Sequence, residues 1–375
     1  MAEKQKLTVL QVLPALESGG VERGTLEVGK HLVEHGHRSI VMSAGGRLVE
    51  QLLREGSEHV AWDIGRKRLS TFRLVLRLRR FLADNKVDIL HVRSRMPAWV
   101  CHLAWKGMDP GNRPHFVTTV HGMYSVNAYS AIMAQGEAVI AVSETIRDYI
   151  LQNYPQTAPD RVVVVPRGVS RHDYPFGYRP PGDWLAGWLG SQPQLANKRL
   201  LVLPGRITRL KGHEDFLQLI ATLVADGHPV HGLIVGGAEP RKTAYLNELR
   251  VLTRKLGLEQ AVTFTGQRND LREIMASSDI VFSLSTQPEA FGRTVLEALS
   301  LGVPVIGYDH GGVGEQLKAM LPEGRVALGD SATLAALTAR WLDNPPAIPK
   351  THPYTLQNML AATLAIYTRL AEADR

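Results

Sequence analysis

The chain has 375 residues, of which 44% are hydrophobic and 21% are charged, and its formal net charge is +7. This composition is typical of globular proteins and excludes collagen-like, coiled-coil and disordered chains, and the length predicts two domains of ordinary size. The single cysteine, Cys101, excludes an internal disulfide and a cysteine-rich zinc site. The polar start and the lack of an apolar run of about 20 residues predict a cytoplasmic protein that does not cross a membrane.

The basic excess belongs to the first half of the chain. Residues 1–187 hold 24 basic and 18 acidic side chains, whereas residues 188–375 hold 19 and 18. Such an asymmetry indicates an anionic partner for the first half, either a membrane surface or a nucleic acid.

Short aliphatic segments alternate with amphipathic ones almost throughout. In the first half, strands are predicted at 7–13, 38–43, 89–92, 115–120, 138–142 and 162–165, with helices at 22–34, 71–84 and 143–153. In the second half, strands are predicted at 200–203, 230–235, 262–265, 280–284 and 304–307, with helices at 212–226, 243–256 and 293–301. This alternation predicts an α/β fold with two doubly wound, Rossmann-like parallel-sheet domains whose strand ends face a central cleft.

Prolines and glycines interrupt the alternation between the two series of strands and predict a linker. We therefore expect an N-terminal domain over residues 1–178, a linker over 179–198 and a second domain over 199–350. A last helix is expected within residues 351–375.

Gly19 and Gly20 begin a glycine-rich loop, Gly-Gly-Val-Glu-Arg-Gly, between the first strand and the first helix. Glycine lets a backbone approach a ligand closely and a helix N-terminus favours an anion, although a tight turn alone would also need glycine. The loop departs from the dinucleotide-binding fingerprint, and the second strand ends without an acidic residue, so NAD binding is disfavoured.

Arg206 and Lys211 follow the first strand of the second half, on a short loop before a helix. A guanidinium and an ammonium group in this position can neutralise a diphosphate, although solvated loop cations would give the same pattern. The sequence contains no Walker A motif.

Two glutamates, Glu289 and Glu297, give the strongest local signal, one before and one inside the helix predicted at 293–301. The amides of Gly292, Arg293 and Thr294 would lie at the N-terminus of this helix, where a phosphate is favoured. Both carboxylates could accept hydrogen bonds from sugar hydroxyls. On position alone, the alternative is that Glu289 interacts with the helix dipole and that Glu297 is an ordinary solvated residue of the helix.

Seven basic residues fall within residues 66–80, and Arg73, Arg77 and Arg80 have the i, i+4, i+7 spacing of one helical face. A basic amphipathic helix predicts contact with an anionic membrane surface. A core-packed helix with a solvated basic face is the alternative. Nucleic acid is disfavoured as a partner because the chain has no recognised nucleic-acid-binding module.

The spacing Glu289-x7-Glu297, within Pro-Glu-Ala-Phe-Gly, resembles the signature of the retaining GT-B glycosyltransferases of family 4. The segments that begin at Gly19, Thr119 and Gly205 (Gly-Gly-Val-Glu, Thr-Val-His-Gly and the Arg206–Lys211 loop) fall in that family's order. The resemblance covers about residues 8–340. The Gly-Gly-Val-Glu-Arg-Gly start is similar to that of enzymes that build lipopolysaccharide core and other cell-surface glycans.

The resemblance implies a GT-B fold and a hexosyltransferase that moves a sugar from a nucleotide-sugar, above all a UDP-sugar, to a glycolipid or oligosaccharide acceptor. The last helix would return to the first domain. It implies diphosphate binding by Arg206, Lys211, Gly292, Arg293 and Thr294, ribose and sugar binding by Glu297 and Phe291, catalytic roles for Glu289 and His121, and close approach of the loop at Gly19 and Gly20.

No Asp-x-Asp motif occurs, which would suit a divalent ion shared with donor phosphates. We therefore expect no metal and no cofactor, with fixed cations and a helix N-terminus stabilising the leaving diphosphate. No acid is expected under the donor ring, which favours same-face attack with retention.

Alternatives are a GT-B enzyme of another type, such as a UDP-sugar epimerase or a sucrose- or trehalose-type synthase with a soluble acceptor, and a catalytically idle nucleotide-sugar binder. Acceptor contacts are expected near His91, Arg93, Arg95 and Tyr124.

Overall fold

The computed structural model describes residues 6–17, 19–238 and 243–373. The chain divides into two compact units, one formed by Met1–Pro166 with Gln357–Arg375 and the other by Arg167–Leu356. Residues 179–198, the predicted linker, therefore belong to the second unit. Much of this segment is helical, since an α-helix covers Gly182–Ser191.

The first unit is built on a seven-stranded sheet with the strand order β3-β2-β1-β4-β5-β6-β7, in which every pairing is parallel. Its strands are β1 (Thr8–Val12), β2 (Arg38–Ser43), β3 (Glu58–Ala61), β4 (Ile89–Val92), β5 (His115–Val120), β6 (Ala138–Ala141) and β7 (Val162–Val164). The order reverses between β1 and β4, as in doubly wound folds.

The second unit repeats this plan in a six-stranded parallel sheet with the order β10-β9-β8-β11-β12-β13. Its strands are β8 (Arg199–Pro204), β9 (Val230–Val235), β10 (Val262–Gly266), β11 (Ile280–Ser283), β12 (Val305–Tyr308) and β13 (Arg325–Val326). Here the order reverses between β8 and β11, which are neighbours at the centre of the sheet.

Helices follow most strands, as parallel connections require. In the first unit they are α1 (Gly20–Glu34), α2 (Val49–Arg54), α3 (Leu74–Asp84), α4 (Arg95–Lys106), α5 (Ala128–Ala131) and α6 (Glu144–Asn153). The second unit contributes α7 (Gly182–Ser191), α8 (His213–Ala225), α9 (Ala244–Lys255), α10 (Leu271–Ala276), α11 (Arg293–Leu301), α12 (Gly311–Met320) and α13 (Ser331–Asp343). The last helix, α14 (Leu356–Ala373), packs with the first unit from Gln357 onward.

The predicted fold class, α/β with two doubly wound parallel sheets, is confirmed. The central strands are buried along their whole length, for example β4, β9 and β11. Strands covered on both faces form continuous apolar runs, and such runs are visible in a sequence. Two short strands, β3 and β13, were not predicted.

A buried polar network joins α14 to the first sheet. The Tyr367 hydroxyl lies 2.5 Å from His91 Nδ1, and His91 Nε2 lies 2.6 Å from Thr119 Oγ1. Arg93, only 3% exposed, donates from Nε and Nη2 to Gln11 Oε1 at 3.0 and 2.7 Å. The expectation that His91 and Arg93 contact an acceptor is therefore wrong, because both side chains are enclosed in the protein interior.

Within the described ranges, the helices are either too short or too polar to span a bilayer.

Candidate active site

Two polar loops of the second unit lie where its strand order reverses. One follows β8 and carries Arg206 and Lys211; the other follows β11 and carries Glu289. Ligands of doubly wound sheets bind beyond the carboxyl ends of the strands at this reversal. The sheet topology therefore brings the predicted cations and the predicted carboxylate to one place.

Lys211 and Glu289 form an ion pair. Lys211 Nζ donates to Glu289 Oε1 at 2.7 Å, and the Ser285 hydroxyl donates to the same oxygen. The two charged side chains are 29% and 23% exposed, so each is held in place and still reachable from solvent. Ser285 was not predicted as a site residue, since a serine after a strand carries no distinctive sequence signal.

The Lys211 loop is held by its backbone. Gly212 has φ = 69°, and a side chain at this position would collide with the carbonyl of Leu284. The amide of Thr286 donates to the carbonyl oxygen of Leu210 at 2.9 Å, which ties the two loops together. Arg206 is exposed on the same β8 loop.

The start of α11 is fixed by an unpredicted residue of α12. Gln316 is fully buried, and its Nε2 donates to the carbonyl oxygens of Phe291 and Gly292. Gly292 itself precedes the helix with φ = 84°, a conformation that favours glycine. The helix N-terminus is thereby presented rigidly beside the Lys211–Glu289 pair, and such a terminus favours a bound anion.

Glu297 is not a solvated helix residue. Its side chain is 7% exposed, and Arg293 Nε donates to Glu297 Oε1 at 2.9 Å across one turn of α11. Phe291 is buried, and its ring lies 5.8 Å from that of Tyr354. The sugar contact predicted for Phe291 would therefore have to come from its backbone. Thr294 is partly exposed in the first turn.

His213, next to the glycine that closes the β8 loop, is fully buried. Burial lowers the pKa of His213 to about 4, so the ring is neutral at pH 7. The segment after β8 also carries Arg206, Arg209 and Lys211, of which Arg209 forms an ion pair with Glu248 and Lys211 forms one with Glu289.

In the first unit, His121 directly follows β5 and is partly exposed, and its amide donates to the Tyr124 hydroxyl at 3.4 Å. Gly19 precedes α1 with φ = 141°, and the helix begins at Gly20. The predicted loop of six residues is therefore wrong in extent, since Val21 and the residues after it are already helical.

The basic stretch is not one regular helix. Leu69–Arg73 forms a 3₁₀ helix, and α3 begins at Leu74, so Arg73 lies outside the α-helical face predicted for it. Arg73, Arg77 and Arg80 are nevertheless all exposed.

Across the described part of the chain, no group of three or more His, Cys, Asp or Glu side chains is arranged to hold a metal ion.

Known proteins resemble this chain over nearly its whole length. The family models described as Glycosyltransferase Family 4 and Glycosyl transferases group 1 match residues 18–172 and 191–354. A glycosyltransferase from Rickettsia africae is 30% identical, with 97% of this chain and 98% of that one covered and a TM-score of 0.82. Anabaena HepE, solved with UDP and glucose, is 20% identical, with 98% and 99% covered and a TM-score of 0.77. N-acetyl-alpha-D-glucosaminyl L-malate synthase of Bacillus anthracis is 26% identical over 81% of this chain and 79% of its own length.

Proposed function

Because the chain belongs to glycosyltransferase family 4, and is therefore an enzyme of hexosyltransferase type that takes its sugar from a nucleotide-sugar, we propose that its donor is a UDP-sugar. The hexose goes to lipopolysaccharide core or another cell-surface glycan, with retention at the anomeric carbon and without a metal ion. The observation that carries this proposal is the Lys211–Glu289 pair beside the N-terminus of α11.

The proposed chemistry follows from where charge develops. When the sugar leaves, negative charge grows on the diphosphate, and cations fixed near it stabilise the transition state more than the ground state. In this proposal Lys211, Arg206 and the first amides of α11 would supply that stabilisation. Glu289 would accept hydrogen bonds from the donor sugar, and the buried Glu297 would accept them from the ribose.

The choice of UDP has two supports. The Gly-Gly-Val-Glu-Arg-Gly start is similar to that of enzymes of cell-surface glycan synthesis. The Anabaena protein, which has the same fold, was solved with UDP and glucose. UDP-sugars are therefore the first donors to test.

We expect UDP and UDP-sugars to raise the melting temperature of the protein more than GDP- or ADP-sugars do. A ligand that binds only the native state stabilises it by about 2.7 kcal/mol at 100 times its Kd. Donor consumption should survive EDTA, and NMR of the product should show the donor's anomeric configuration. Greater stabilisation by a GDP-sugar, loss of activity in EDTA, or an inverted product would each contradict the corresponding part of the proposal.

We further propose that the enzyme docks on the anionic cytoplasmic face of a membrane, where a lipid-linked acceptor would lie. The docking surface is the exposed part of residues 66–80, here called the basic–apolar patch. Leu69 is 89% exposed, Leu76 65% and Phe72 37%, and exposed arginines surround them. Exposed apolar side chains among cations suit an anionic lipid interface.

Replacing Arg73, Arg77 and Arg80 with glutamate should lower binding to phosphatidylglycerol vesicles at least about 100-fold, since each cation near such a surface contributes roughly 1 kcal/mol. Vesicle co-sedimentation measures this. The matched control changes three exposed cations of α9, Arg250, Arg254 and Lys255, to glutamate and should bind like wild type. Equal losses of vesicle binding in both triple variants would show a non-specific charge effect and would refute the basic–apolar patch as the docking surface.

A further inference from the structure

A cation–aromatic cluster lies beside His121 in the first unit, and two of its residues, Arg95 and Tyr124, are among those expected near the acceptor. Its members are Lys67, Arg95, Tyr124 and Tyr129. Arg95 begins α4 just after β4, and Tyr124 lies shortly after β5, the neighbouring strand. Both therefore lie at the carboxyl edge of the sheet, and the Tyr124 hydroxyl accepts the hydrogen bond from the His121 amide.

The Arg95 guanidinium is held by aromatic rings. It lies 4.7 Å from the ring centre of Tyr124 and 5.4 Å from that of Tyr129, and its Nη1 donates to Ser130 Oγ at 3.1 Å. Lys67 Nζ lies 5.5 Å from the Tyr129 ring centre. A guanidinium stacked on rings keeps its in-plane N–H donors for a planar or tetrahedral anion.

The two tyrosines are themselves fixed. The Tyr149 hydroxyl donates to the carbonyl oxygen of Tyr124 at 2.5 Å, and Trp99 Nε1 donates to that of Tyr129 at 3.0 Å. Arg95 is thus positioned by a framework that does not depend on a ligand, and the exposed Lys67 side chain lies near one of the rings of that framework.

The two cations of the cluster, Arg95 and Lys67, differ from their neighbours in their ion pairs. Between described residues, no carboxylate forms an ion pair with Arg95 or Lys67, whereas the nearby Arg66 pairs with Asp63 at 3.3 Å. The first turn of α4 contains no acidic residue, so the positive end of that helix adds to the two cations.

We propose that this cluster binds an anionic group, phosphate or carboxylate, of the sugar acceptor and brings that acceptor beside His121. The inference rests on the proposed function for its biological meaning and names the acceptor class, an anionic glycan. The anion site itself is a property of the first unit and can be tested without a donor.

Isothermal titration should use three probes of similar size: α-D-glucose 1-phosphate, D-glucuronate and methyl α-D-glucoside. Wild type should bind at least one of the two anionic probes about 10-fold or more tighter than the neutral one. The identity of the anionic probe that binds distinguishes a phosphate site from a carboxylate site.

Arg95→Gln should weaken that binding about 10- to 100-fold, because hydrogen bonds to charged groups contribute about 1.5–3 kcal/mol. Lys67→Gln, at an exposed position, should weaken it in the same direction, and Arg95→Lys should restore part of the loss.

Arg113→Gln is the matched control, since this arginine also stacks on a ring of the first unit, at 3.6 Å from the centre of Trp105. It should bind the probes like wild type. Lys211→Gln tests whether the anion occupies the β8 loop instead. Loss of binding in Lys211→Gln but not in Arg95→Gln, equal binding of the neutral probe, or no binding of either anionic probe to wild type would overturn the proposal. Anion binding through Arg95 in a protein that no UDP-sugar stabilises would refute the UDP-sugar donor and leave the anion site standing.

Discussion

Replacing Lys211 with methionine should lower kcat/KM for sugar transfer by about 100- to 1,000-fold, the cost of removing one preorganised group that stabilises developing charge. Methionine keeps most of the length of the side chain and removes the ammonium group that meets Glu289 at 2.7 Å. The loss should fall mainly on kcat, because the charge on the leaving diphosphate is largest in the transition state. Steady-state kinetics with a UDP-sugar measure it.

Arg209 supplies the matched control for this prediction. It lies on the same 3₁₀ turn as Lys211, but it pairs with Glu248 and is exposed. Arg209→Met should therefore change kcat/KM by less than about 3-fold, in line with the small contributions of surface ion pairs. If Lys211→Met kept its turnover, or if both variants lost it equally, the lysine would have no specific role toward the diphosphate.

Much of the fold follows from the sequence because parallel strands covered on both faces are apolar throughout. The strands over 38–43, 89–92, 115–120 and 230–235 have the bounds predicted for them. The missed strands lack this signal. β3 has exposed residues at both ends and lies at a sheet edge, and β13 has two residues.

The candidate site is predictable where its chemistry is local in the sequence. Glu289, Glu297 and the start of α11 lie within one short segment, and the doubly wound topology brings the β8 loop to them. Gln316 could not be predicted as a support of this segment, because it reaches Phe291 from 25 positions away through the packing of α12.

The error at His91 and Arg93 has a physical explanation. A polar residue in or just after a central strand has the same sequence pattern whether it faces a ligand or a buried partner. The partners that decide the matter are Gln11, 82 positions from Arg93, and Tyr367, 276 positions from His91. Only the position of α14 against the first sheet reveals them.

This buried network leads to the largest expected effect on stability. Replacing Gln11 with leucine should lower the free energy of unfolding of the first unit by about 3 kcal/mol, the lower end of the usual cost of leaving a buried charge without its partner. Gln11 Oε1 accepts two hydrogen bonds from Arg93, and an arginine stays charged even where burial lowers its pKa. Leucine offers no acceptor, while Tyr367 and the negative charge of Glu27 remain to offset part of the loss.

A double substitution separates the effect of the unpaired buried charge from the effect of the altered side-chain shape. With Arg93→Met added to Gln11→Leu, no charge is left to satisfy, and apolar groups can fill the space, so most of the lost stability should return. Hydrogen exchange of β1, β4 and α14 in the intact chain reports on this unit alone, and protection should fall in the single variant and recover in the double one. If the double variant were as unstable as Gln11→Leu, the lost free energy of unfolding would come from packing around β1. The hydrogen bonds from Arg93 to Gln11 would then not be the cause of the effect.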